Sequence, residues 1–347
     1  MAARKQITIT QVARAAGVST QTVSRVINER PDVAPETRLR VQSVIEQLDY
    51  RPNVLARSLI HRRSQTIGVV AMSSGFYGPS TTLVGIEKMT RNLGYSLLLD
   101  FMHHPESDDV DRIINRLLSH QVDGILWAVP EIGNNRTWLE KKGAYLPIPV
   151  IYLSMQPMEH LLVASIDNYL GGCLATEHLL AQGYRQIGII TGPLDWWETR
   201  QRLAGWRKAL ESAGYPPEAR QIIAGDWSAA SGAAGIHALW QQFPELDSVF
   251  ACNDQMALGA MQAAHRLGKR LPQDLALVGF DNIPESQFFW PALTTINQPL
   301  VDLGGRAVEA LVRLIGAEHS DERDIETESI ILTPALVVRD SATAHLS

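Results

Sequence analysis

The chain has 347 residues, of which 45% are hydrophobic and 20% are charged, so it is long enough to build about two or three domains with buried cores. Its two cysteines, Cys173 and Cys252, show no CxxC spacing, which argues against a disulfide scaffold or a cysteine-ligated zinc site and fits a reducing compartment. The beginning of the chain lacks the apolar stretch of a signal peptide, and no apolar run approaches the roughly 18 residues of a membrane span. We therefore expect a soluble, cytoplasmic protein with no membrane partner.

Charge is distributed unevenly along the chain, whose formal net charge is −6. Residues 1–63 carry eleven Lys and Arg against five Asp and Glu, whereas the remaining residues carry 20 against 32. A basic segment attached to an acidic body predicts a polyanion partner for that segment alone. A solvated charged face would produce the same charge pattern, so the charge does not distinguish the two interpretations.

The stretch "ITITQVARAAGVSTQTVSRVIN" predicts two short amphipathic helices joined around "AGVS". Thr10 is suited to cap the first helix, and Gly17 can end it because glycine readily adopts a positive φ. Ser19 is suited to cap the second helix, in which Val23 and Val26 share an apolar face. A third helix follows, with Pro35 in its first turn and apolar residues at helical spacing up to "VIEQL".

The second helix also has a polar face, opposite its valines. This face carries short hydroxyls, an amide and a guanidinium, on Thr20, Gln21, Thr22, Ser24 and Arg25. Such side chains read base edges and phosphates in a DNA major groove. We therefore predict a helix-turn-helix headpiece over residues 1–50, although a plain helical bundle would show the same apolar pattern.

The segment 51–64 is predicted to be a hinge helix followed by a linker. In "RPNVLARSL", Pro52 ends the third helix, Asn53 can cap a new one, and about seven residues follow that would be only marginally helical alone. The alternative is that the segment is simply a linker, which "HRRSQ" resembles.

Residues 65–347 are predicted to form an α/β core. Runs such as "TIGVVAM", "VDGILWAV", "QIGIITG" and "DLALVGFD" alternate with helical segments. Continuous apolar runs between amphipathic helices indicate strands buried on both faces, as in parallel sheets. The runs fall into two series, which predicts two doubly wound lobes.

Ligands of open parallel sheets bind beyond the carboxyl ends of the strands, so the residues that follow the strands are candidates for a binding cleft. The polar candidates are Arg202, Asn253, Asp281 and Gln298, and the aromatic candidates are Phe76, Tyr77, Trp227 and Trp290. Sugars need this mixture, because their hydroxyls hydrogen-bond to planar polar groups while the C–H face of the ring stacks on aromatic rings. We expect neither Arg202 nor Asp281 to support the core.

Several of these residues have other interpretations. Asn253 or Asp254 could simply cap the helix that follows, and Trp206 is expected in the core. Trp196 and Trp197 either pack on the surface or close over the cleft.

The stretch from Ile7 to Leu59, including "VAPETRLRVQSVIEQLDYRPNVLARSL", resembles the headpiece of the LacI/GalR family of transcriptional regulators. The chain departs from the family at Ala34, where a capping serine is usual. The resemblance implies that bases are read by Thr20, Gln21 and Arg25 and that the DNA backbone is held by Ser19, Thr22, Ser24 and Asn28. It also implies a hinge helix that folds on operator DNA, pairs with its dimer mate, contacts the DNA through Asn53, Ala56 and Leu59, and inserts Leu59 into the minor groove. Leu59 would be the wedge that kinks the DNA.

The motifs "RLAGW", "GDWSAASG", "NDQMALGAMQA", "LVGFDN" and "LTTINQP" are similar to those of the effector cleft in the same family, whose core is of the periplasmic-binding-protein type. The resemblance implies that effector contacts are made by Arg202, Trp227, Asn253, Asp281 and Gln298. Ser154 replaces an aspartate, and Leu300 an aromatic residue, of a galactoside-binding member. Galactoside specificity is therefore in doubt.

The resemblance also implies where the two lobes begin and end. In this type of core the chain crosses between the lobes three times, here near residues 163, 293 and 325. The first lobe would comprise about 65–163 and 294–324, and the second about 164–293 and 325–347.

We therefore expect a sequence-specific DNA-binding regulator, a repressor, that acts as a homodimer on double-stranded operator DNA under the control of a small effector. The expected effector is a mono- or disaccharide, and the alternative is a purine corepressor. The sequence shows no GxGxxG after a strand, P-loop, HExxH or GxSxG motif, so no enzyme, cofactor or metal is expected. A transport binding protein would share the core but would need a signal peptide and would have no use for residues 1–63.

Overall fold

The structure, a computed structural model, describes residues 7–27, 30–50, 63–72, 75–103, 109–133, 135–142, 146–317 and 328–343. The chain divides into two compact units, residues 1–64 and residues 65–347. The predicted hinge helix and the DNA contacts assigned to Asn28, Asn53, Ala56 and Leu59 lie outside the described residues.

The first unit contains three helices, α1 (Ile9–Ala16), α2 (Thr20–Ile27) and α3 (Pro35–Gln47). They close on a small core made largely of valine and alanine: Val12, Ala13, Ala16, Val23, Val26, Val33, Val41 and Tyr50. So small a core depends on helix ends that are well terminated, because short helices are marginal by themselves.

The helix ends follow the sequence with two exceptions, of which one is that α3 ends at Gln47, before the predicted stop at Pro52. Gly17 takes a φ of 66° after α1, and the Oγ of Ser19 accepts a hydrogen bond of 3.1 Å from the backbone N–H of Thr22. The predicted cap at Thr10 is wrong, because α1 begins after Thr8. The amide of Thr8 donates to the Oε1 of Gln11 at 2.8 Å, so the glutamine side chain extends the helix start backwards and leaves Thr10 inside the first turn.

The second unit contains two sheets of six strands each, with helices between the strands. Its strands are β1 (Thr66–Met72), β2 (Ser96–Met102), β3 (Gly124–Ala128), β4 (Val150–Leu153), β5 (Leu162–Ile166), β6 (Ile187–Thr191), β7 (Ile222–Ala224), β8 (Ser248–Ala251), β9 (Ala276–Asp281), β10 (Thr294–Asn297), β11 (Ile330–Leu332) and β12 (Ala335–Val337). Its helices are α4 (Tyr77–Asn92), α5 (Asp109–Ser119), α6 (Asn135–Lys142), α7 (Asn168–Ala181), α8 (Trp197–Ser212), α9 (Ala229–Gln242), α10 (Asp254–Arg266) and α11 (Leu300–Ala317).

The sheets have the strand orders β11-β5-β4-β3-β1-β2 and β12-β10-β9-β8-β6-β7. Every pairing in them is parallel except that between β10 and β12. The central strands are buried throughout, as in "IGIIT" and "ALVGFD", because helices cover both faces of each sheet. We call the parts of the chain around these sheets the first and the second lobe.

The predicted lobe boundaries are wrong by several residues at each crossing. The chain leaves the first sheet after β5, returns after β10, and crosses again between β11 and β12. Thr294 pairs with Val278 in the second sheet, so β10 belongs to the second lobe and not to the first. Ile330 pairs with Ala164 in the first sheet, so β11 belongs to the first lobe and not to the second. The pairing of the strands decides to which lobe β10 and β11 belong. An apolar run in the sequence does not indicate the strand with which it will pair.

Helices α7 and α8 pack so closely that glycines are required where they touch. A Cβ on Gly172 would lie 2.3 Å from the backbone oxygen of Arg202, and one on Gly205 would lie 2.1 Å from that of Tyr169. This close approach sets Arg202 against the first turn of α7 and thereby fixes one wall of the cleft described below. None of the helices that the structure describes is long and apolar enough to cross a membrane.

Candidate functional site

Helix α2 presents the polar face that the sequence predicted. Ser19, Thr20, Gln21 and Arg25 are exposed, and Thr22 and Ser24 are half-buried. Val23 and Val26 bury the opposite face in the core of the first unit, so the helix is anchored while its polar side chains are available. An exposed polar helix face of this kind is what enters a major groove.

Arg25 is held in place by an ion pair within the same unit. Its Nη1 lies 3.3 Å from the Oδ2 of Asp32, and both side chains are more than half exposed, at 53% and 55%. An ion pair so open to solvent contributes only about 0–1 kcal/mol to stability. The guanidinium can therefore exchange Asp32 for a base or a phosphate at little cost.

The second unit contains a cleft between the ends of its two sheets. The structure brings all but one of the predicted cleft residues to its lining: Phe76, Tyr77, Arg202, Trp227, Asn253, Asp281 and Gln298. Ser154 and Leu300, the two departures from a galactoside-binding member, line the same cleft. Trp290 does not lie there. It is 95% exposed, because the chain after β9 carries it to the outer surface, so its expected role as a flat surface for the ligand is wrong.

Arg202 is fixed in the cleft wall by several contacts. Its Nε donates to the Oδ1 of Asn168 at 2.8 Å, and its Nη1 donates to the backbone oxygen of Cys252. The guanidinium carbon also lies 3.8 Å from the centre of the Phe280 ring. The expectation that Arg202 does not support the core is therefore wrong, since its removal would leave two buried acceptors unsatisfied.

Asp281 ends β9 with a φ of 110°, a conformation that L-residues rarely adopt. Its carboxyl is buried, and its Oδ1 accepts a 2.6 Å hydrogen bond from the Nε2 of Gln298. Burial raises the pKa of Asp281 to about 6, while the charge of Arg202 and the hydrogen bond from Gln298 oppose that rise. Asp281 and Gln298 thus line the cleft as a hydrogen-bonded pair of a carboxyl group and an amide.

Asn253 both caps a helix and positions a cleft residue. Its Oδ1 accepts from the amide of Met256 at 2.8 Å, and its Nδ2 donates to the backbone oxygen of Trp227 at 2.9 Å. Trp227 has a φ of 73°, and its ring lies where a Cβ on Gly192 would be only 2.2 Å away. Asn253 therefore caps α10, as one interpretation expected, and it also lines the cleft.

Aromatic rings cover one end of the cleft. Trp196 lies edge-on to Phe76, with ring centres 5.2 Å apart, and edge-on to Trp227, with ring centres 5.6 Å apart. Of the two interpretations offered for Trp196, the structure supports closure over the cleft. Trp206 is fully buried in the core, as expected.

Sequence reasoning missed several cleft residues, of which Glu198 is the most informative. Glu198 lies on the first turn of α8, lines the cleft and is 9% exposed. The spacing in the sequence could have revealed it: Glu198 lies four positions before Arg202, so both residues face the same side of α8. Asn168 and Gln255 also line the cleft and were missed, since each lies near the start of a helix rather than at the end of its strand.

Asp254 follows the cleft residue Asn253 at the start of α10 and is completely buried. It accepts hydrogen bonds of 2.6 Å from the Oγ1 of Thr295 and 2.8 Å from the amide of Ile283. A Cβ on Gly279 would be 2.2 Å from its Oδ1, so only glycine fits there. Burial, followed by the charge of Asp281, raises the pKa of Asp254 to about 8. Asp254 thus ties the loop after β9 to β10.

Comparison with known proteins agrees with this architecture. Residues 8–53 match the profile described as "Bacterial regulatory proteins, lacI family", and residues 176–342 match that of a "Periplasmic binding protein-like domain". The HTH-type transcriptional repressor PurR of Haemophilus influenzae (strain ATCC 51907 / DSM 11121 / KW20 / Rd) is 34% identical over 98% of this chain and 99% of its own length. The chain belongs to the LacI family.

Other members show the same relationship along the whole chain. The ribose operon repressor of Escherichia coli (strain K12) is 35% identical over 96% of this chain and 99% of its own. The lac repressor dimer bound to operator and the anti-inducer ONPF superposes with a TM-score of 0.84 at 32% identity, covering 98% of this chain and 100% of that one. The predicted α/β fold, a helix-turn-helix headpiece with a two-lobed core of doubly wound sheets, is confirmed. This LacI-family protein is a DNA-binding repressor with a ligand-binding core.

Proposed function

We propose that this LacI-family repressor binds operator DNA as a homodimer through α2, and that a mono- or disaccharide bound in the cleft controls its affinity for the operator. The exposed face of α2, with Thr20, Gln21 and Arg25, supports the DNA contact. A dimer places two such helices on the two halves of a palindrome. The similarity to a lac repressor dimer bound to its operator supports the same arrangement here. Asn28, Asn53, Ala56 and Leu59 remain proposed DNA contacts on the strength of their motif.

One observation carries the assignment of the cleft. The Nε1 of Trp227, the Oε1 of Gln255 and the Oε2 of Glu198 are buried side-chain atoms on residues that line it, and none has a hydrogen-bond partner among the described residues. An unpaired buried polar atom costs about 1–3 kcal/mol. A hydroxyl group both donates and accepts a hydrogen bond, so a molecule rich in hydroxyls can satisfy the donor and the two acceptors together.

The aromatic end of the cleft supports a sugar as well. The rings of Phe76, Trp196 and Trp227 offer the apolar surface on which the C–H face of a pyranose stacks. The transcriptional regulator CelR, solved as a complex with cellobiose, is 30% identical to this chain, with a TM-score of 0.70 over 97% of this chain and 100% of that one. The competing effector is a purine corepressor, which the similarity to PurR favours and which the same rings would accept.

Both lobes contribute to the cleft, and this supports control by the ligand. Phe76 and Leu300 belong to the first lobe, whereas Arg202, Trp227 and Asp281 belong to the second. A molecule that contacts both lobes binds the closed arrangement more tightly than an open one. A ligand shifts such an equilibrium only by its difference in affinity for the two states. We propose that this difference changes the affinity for the operator, and that the protein performs no reaction and acts in the cytoplasm, where its DNA partner is.

A thermal-shift screen tests the class of effector. The full-length protein is melted in the presence of single mono- and disaccharides and, in parallel, of purine bases. A ligand at 100 times its Kd adds about 2.7 kcal/mol to the free energy of unfolding, which gives a clear rise in Tm. We expect a sugar to raise the Tm and the purines to leave it unchanged. A rise produced by a purine alone would contradict the sugar assignment in favour of the corepressor.

A further inference from the structure

The cleft contains more negative than positive side chains. Among the described residues that line it, the charged ones are Glu198, Arg202 and Asp281. Arg202 is largely engaged by the protein, because its Nε and Nη1 donate to Asn168 and to the backbone of Cys252. Its face also covers the Phe280 ring. A ligand entering this cleft therefore meets two carboxyl groups and one cation whose donors are already partly used.

Glu198 is the cleft residue with a buried carboxyl oxygen that the described residues leave without a hydrogen-bond partner. The Oδ1 of Asp281 accepts a hydrogen bond from Gln298, whereas the Oε2 of Glu198 has no partner among the described residues. Arg200 also lowers the pKa of Glu198 through its charge, but its Nη2 donates to the Oε1 of Glu131 at 2.9 Å and its Nη1 to the backbone oxygen of Asp195 at 2.8 Å. Glu198 is therefore a buried acceptor that forms no ion pair with a cation in the part of the chain that the structure describes.

We propose that Glu198 is a specificity residue: its carboxyl group accepts a hydrogen bond from a hydroxyl of an uncharged sugar and excludes phosphorylated sugars from the cleft. This inference rests on the proposed sugar effector and narrows its class. Burying an unpaired carboxyl group lowers the stability of the folded protein, and the proposed contact gives the buried Glu198 a function.

The physical reason is the burial of Glu198. Two negative charges a few ångströms apart repel each other far more strongly in a water-excluded cleft than in solution. A phosphate monoester would also need cationic or N–H donors, which this lining supplies only through the partly used Arg202. A neutral sugar satisfies the open acceptor without that repulsion. We expect the discrimination to be about a hundredfold or more, the range in which unfavourable charge contacts reject a wrong ligand.

Burial raises the pKa of Glu198 to about 7. The backbone amide of Glu198 itself and the charge of Arg202 act in the opposite direction, and the charge of Glu131 adds to the rise. The carboxyl group is therefore fully ionised only well above pH 7, so its repulsion of a phosphate group is strongest there and weakens as the carboxyl group becomes protonated.

The test uses the fluorescence of the tryptophans that line the cleft, Trp196 and Trp227, to measure Kd on the full-length protein. The probes are glucose, ribose and cellobiose, together with glucose 6-phosphate and ribose 5-phosphate. At pH 8.5, where the Glu198 carboxyl group is ionised, we expect at least one neutral sugar to bind and the phosphates to bind about a hundredfold more weakly or not measurably. In Glu198→Gln we expect the ratio between phosphate and neutral sugar to shift toward the phosphate by about tenfold or more. Glu198→Ala serves as a second variant if the glutamine variant does not fold.

Glu211→Gln is the matched control, because Glu211 lies on the same helix α8, is exposed and is outside the cleft. It removes the same charge and should leave the ratio unchanged. The inference is overturned if phosphates bind the wild type as tightly as neutral sugars, or if the ratio in the Glu198 variants equals that of the control. If none of the probes binds the wild type, the sugar effector itself is contradicted and the inference is lost with it. The two failures are therefore distinguishable.

Discussion

The Nη2 of Arg200 lies 2.9 Å from the Oε1 of Glu131, and this ion pair joins the second lobe to the first. Glu131 follows β3 and is 5% exposed, whereas Arg200 lies on α8 with 43% of its side chain exposed. The other carboxylate oxygen of Glu131 accepts from Arg136 at 3.3 Å and from the amide of Gln156 at 3.2 Å. Glu131 thus brings together an arginine from each lobe.

The backbone strengthens the same connection. The amide of Trp197 donates to the oxygen of Glu131 at 3.0 Å, and the amide of Gly133 donates to that of Asp195 at 3.3 Å. A short antiparallel bridge joins Ile132 to Trp196 between them. These contacts lie beside Trp196, which lines the cleft, so we expect that closing the lobes also covers the ligand.

We therefore predict that Glu131→Gln weakens binding of the effector without unfolding the core. The variant loses the ionic contact between the lobes but keeps the backbone bridge, so the closed arrangement becomes less favourable relative to an open one. We expect the Kd of the best sugar of the panel, measured by calorimetry, to rise about tenfold. Glu140→Gln is the matched control, because Glu140 pairs at 2.9 Å with Arg136 of its own lobe. Equal affinities in both variants would show that the contact does not control closure.

Arg25→Ala should weaken specific operator binding and leave the headpiece folded. The side chain is half exposed, and its ion pair with Asp32 contributes little to stability. Loss of a base-edge contact costs about 1–3 kcal/mol and also relaxes discrimination between sequences. The measurement is a gel-shift titration at fixed salt, on an operator selected from a random DNA pool and on unrelated DNA. Arg40→Ala removes the same charge from the exposed side of α3 and should reduce binding to both DNAs alike.

Asp281→Asn should abolish most of the response to the effector while the protein still binds operator DNA. The change is isosteric, and the amide can still hydrogen-bond to Gln298, so the wall of the cleft should survive. Loss of a charged acceptor for sugar hydroxyls costs about 1.5–3 kcal/mol, or tenfold or more in Kd. Glu285→Gln, an exposed charge loss outside the cleft, is the control. Wild-type affinity in the Asp281 variant, measured by calorimetry, would place the effector elsewhere. Arg202→Ala is a poorer test, because it disturbs the packing of α7 and α8.

The stability of the core should fall as the pH rises from about 4.5 to about 8. Burial raises the pKa of Asp254 to about 8, that of Glu198 to about 7 and that of Asp281 to about 6. Across this window the folded protein binds more protons than the unfolded chain, whose carboxyl groups have pKa values near 4, so raising the pH favours unfolding. The Tm at pH 5.5, 7 and 8.5 checks this.

Asp254→Asn is the variant that isolates this effect, since it removes the largest of the three rises in pKa. Its Tm should depend less on pH than that of the wild type. Asp274→Asn is the control, because Arg270 holds the pKa of the Asp274 carboxyl well below its usual range and this group stays ionised throughout. An equal slope of Tm against pH in the Asp254 variant and in the wild type would contradict the prediction.

The sequence by itself determined the features that depend on neighbours along the chain. The turn at Gly17, the cap at Ser19 and the polar face of α2 follow from spacing within a few residues. The strand runs were equally local. Because parallel strands all end at the same edge of a sheet, the residues that follow them, such as Asp281 and Gln298, could be assigned to one cleft from their positions in the chain alone.

The tertiary structure decided what depends on distant partners. Only pairing with β9 and β5 assigned β10 and β11 to their lobes, and only packing carried Trp290 to the surface and Glu198 into the cleft. The ion pair of Glu131 with Arg200 joins residues 69 positions apart, and the bond from Arg202 to Asn168 joins residues 34 apart. The burial and the hydrogen bonds of a residue depend on its neighbours in space. The periodicity of an apolar pattern in the sequence does not identify those neighbours. They alone decide that Arg202 is bound by the protein while a carboxylate oxygen of Glu198 is left without a hydrogen-bond partner among the described residues.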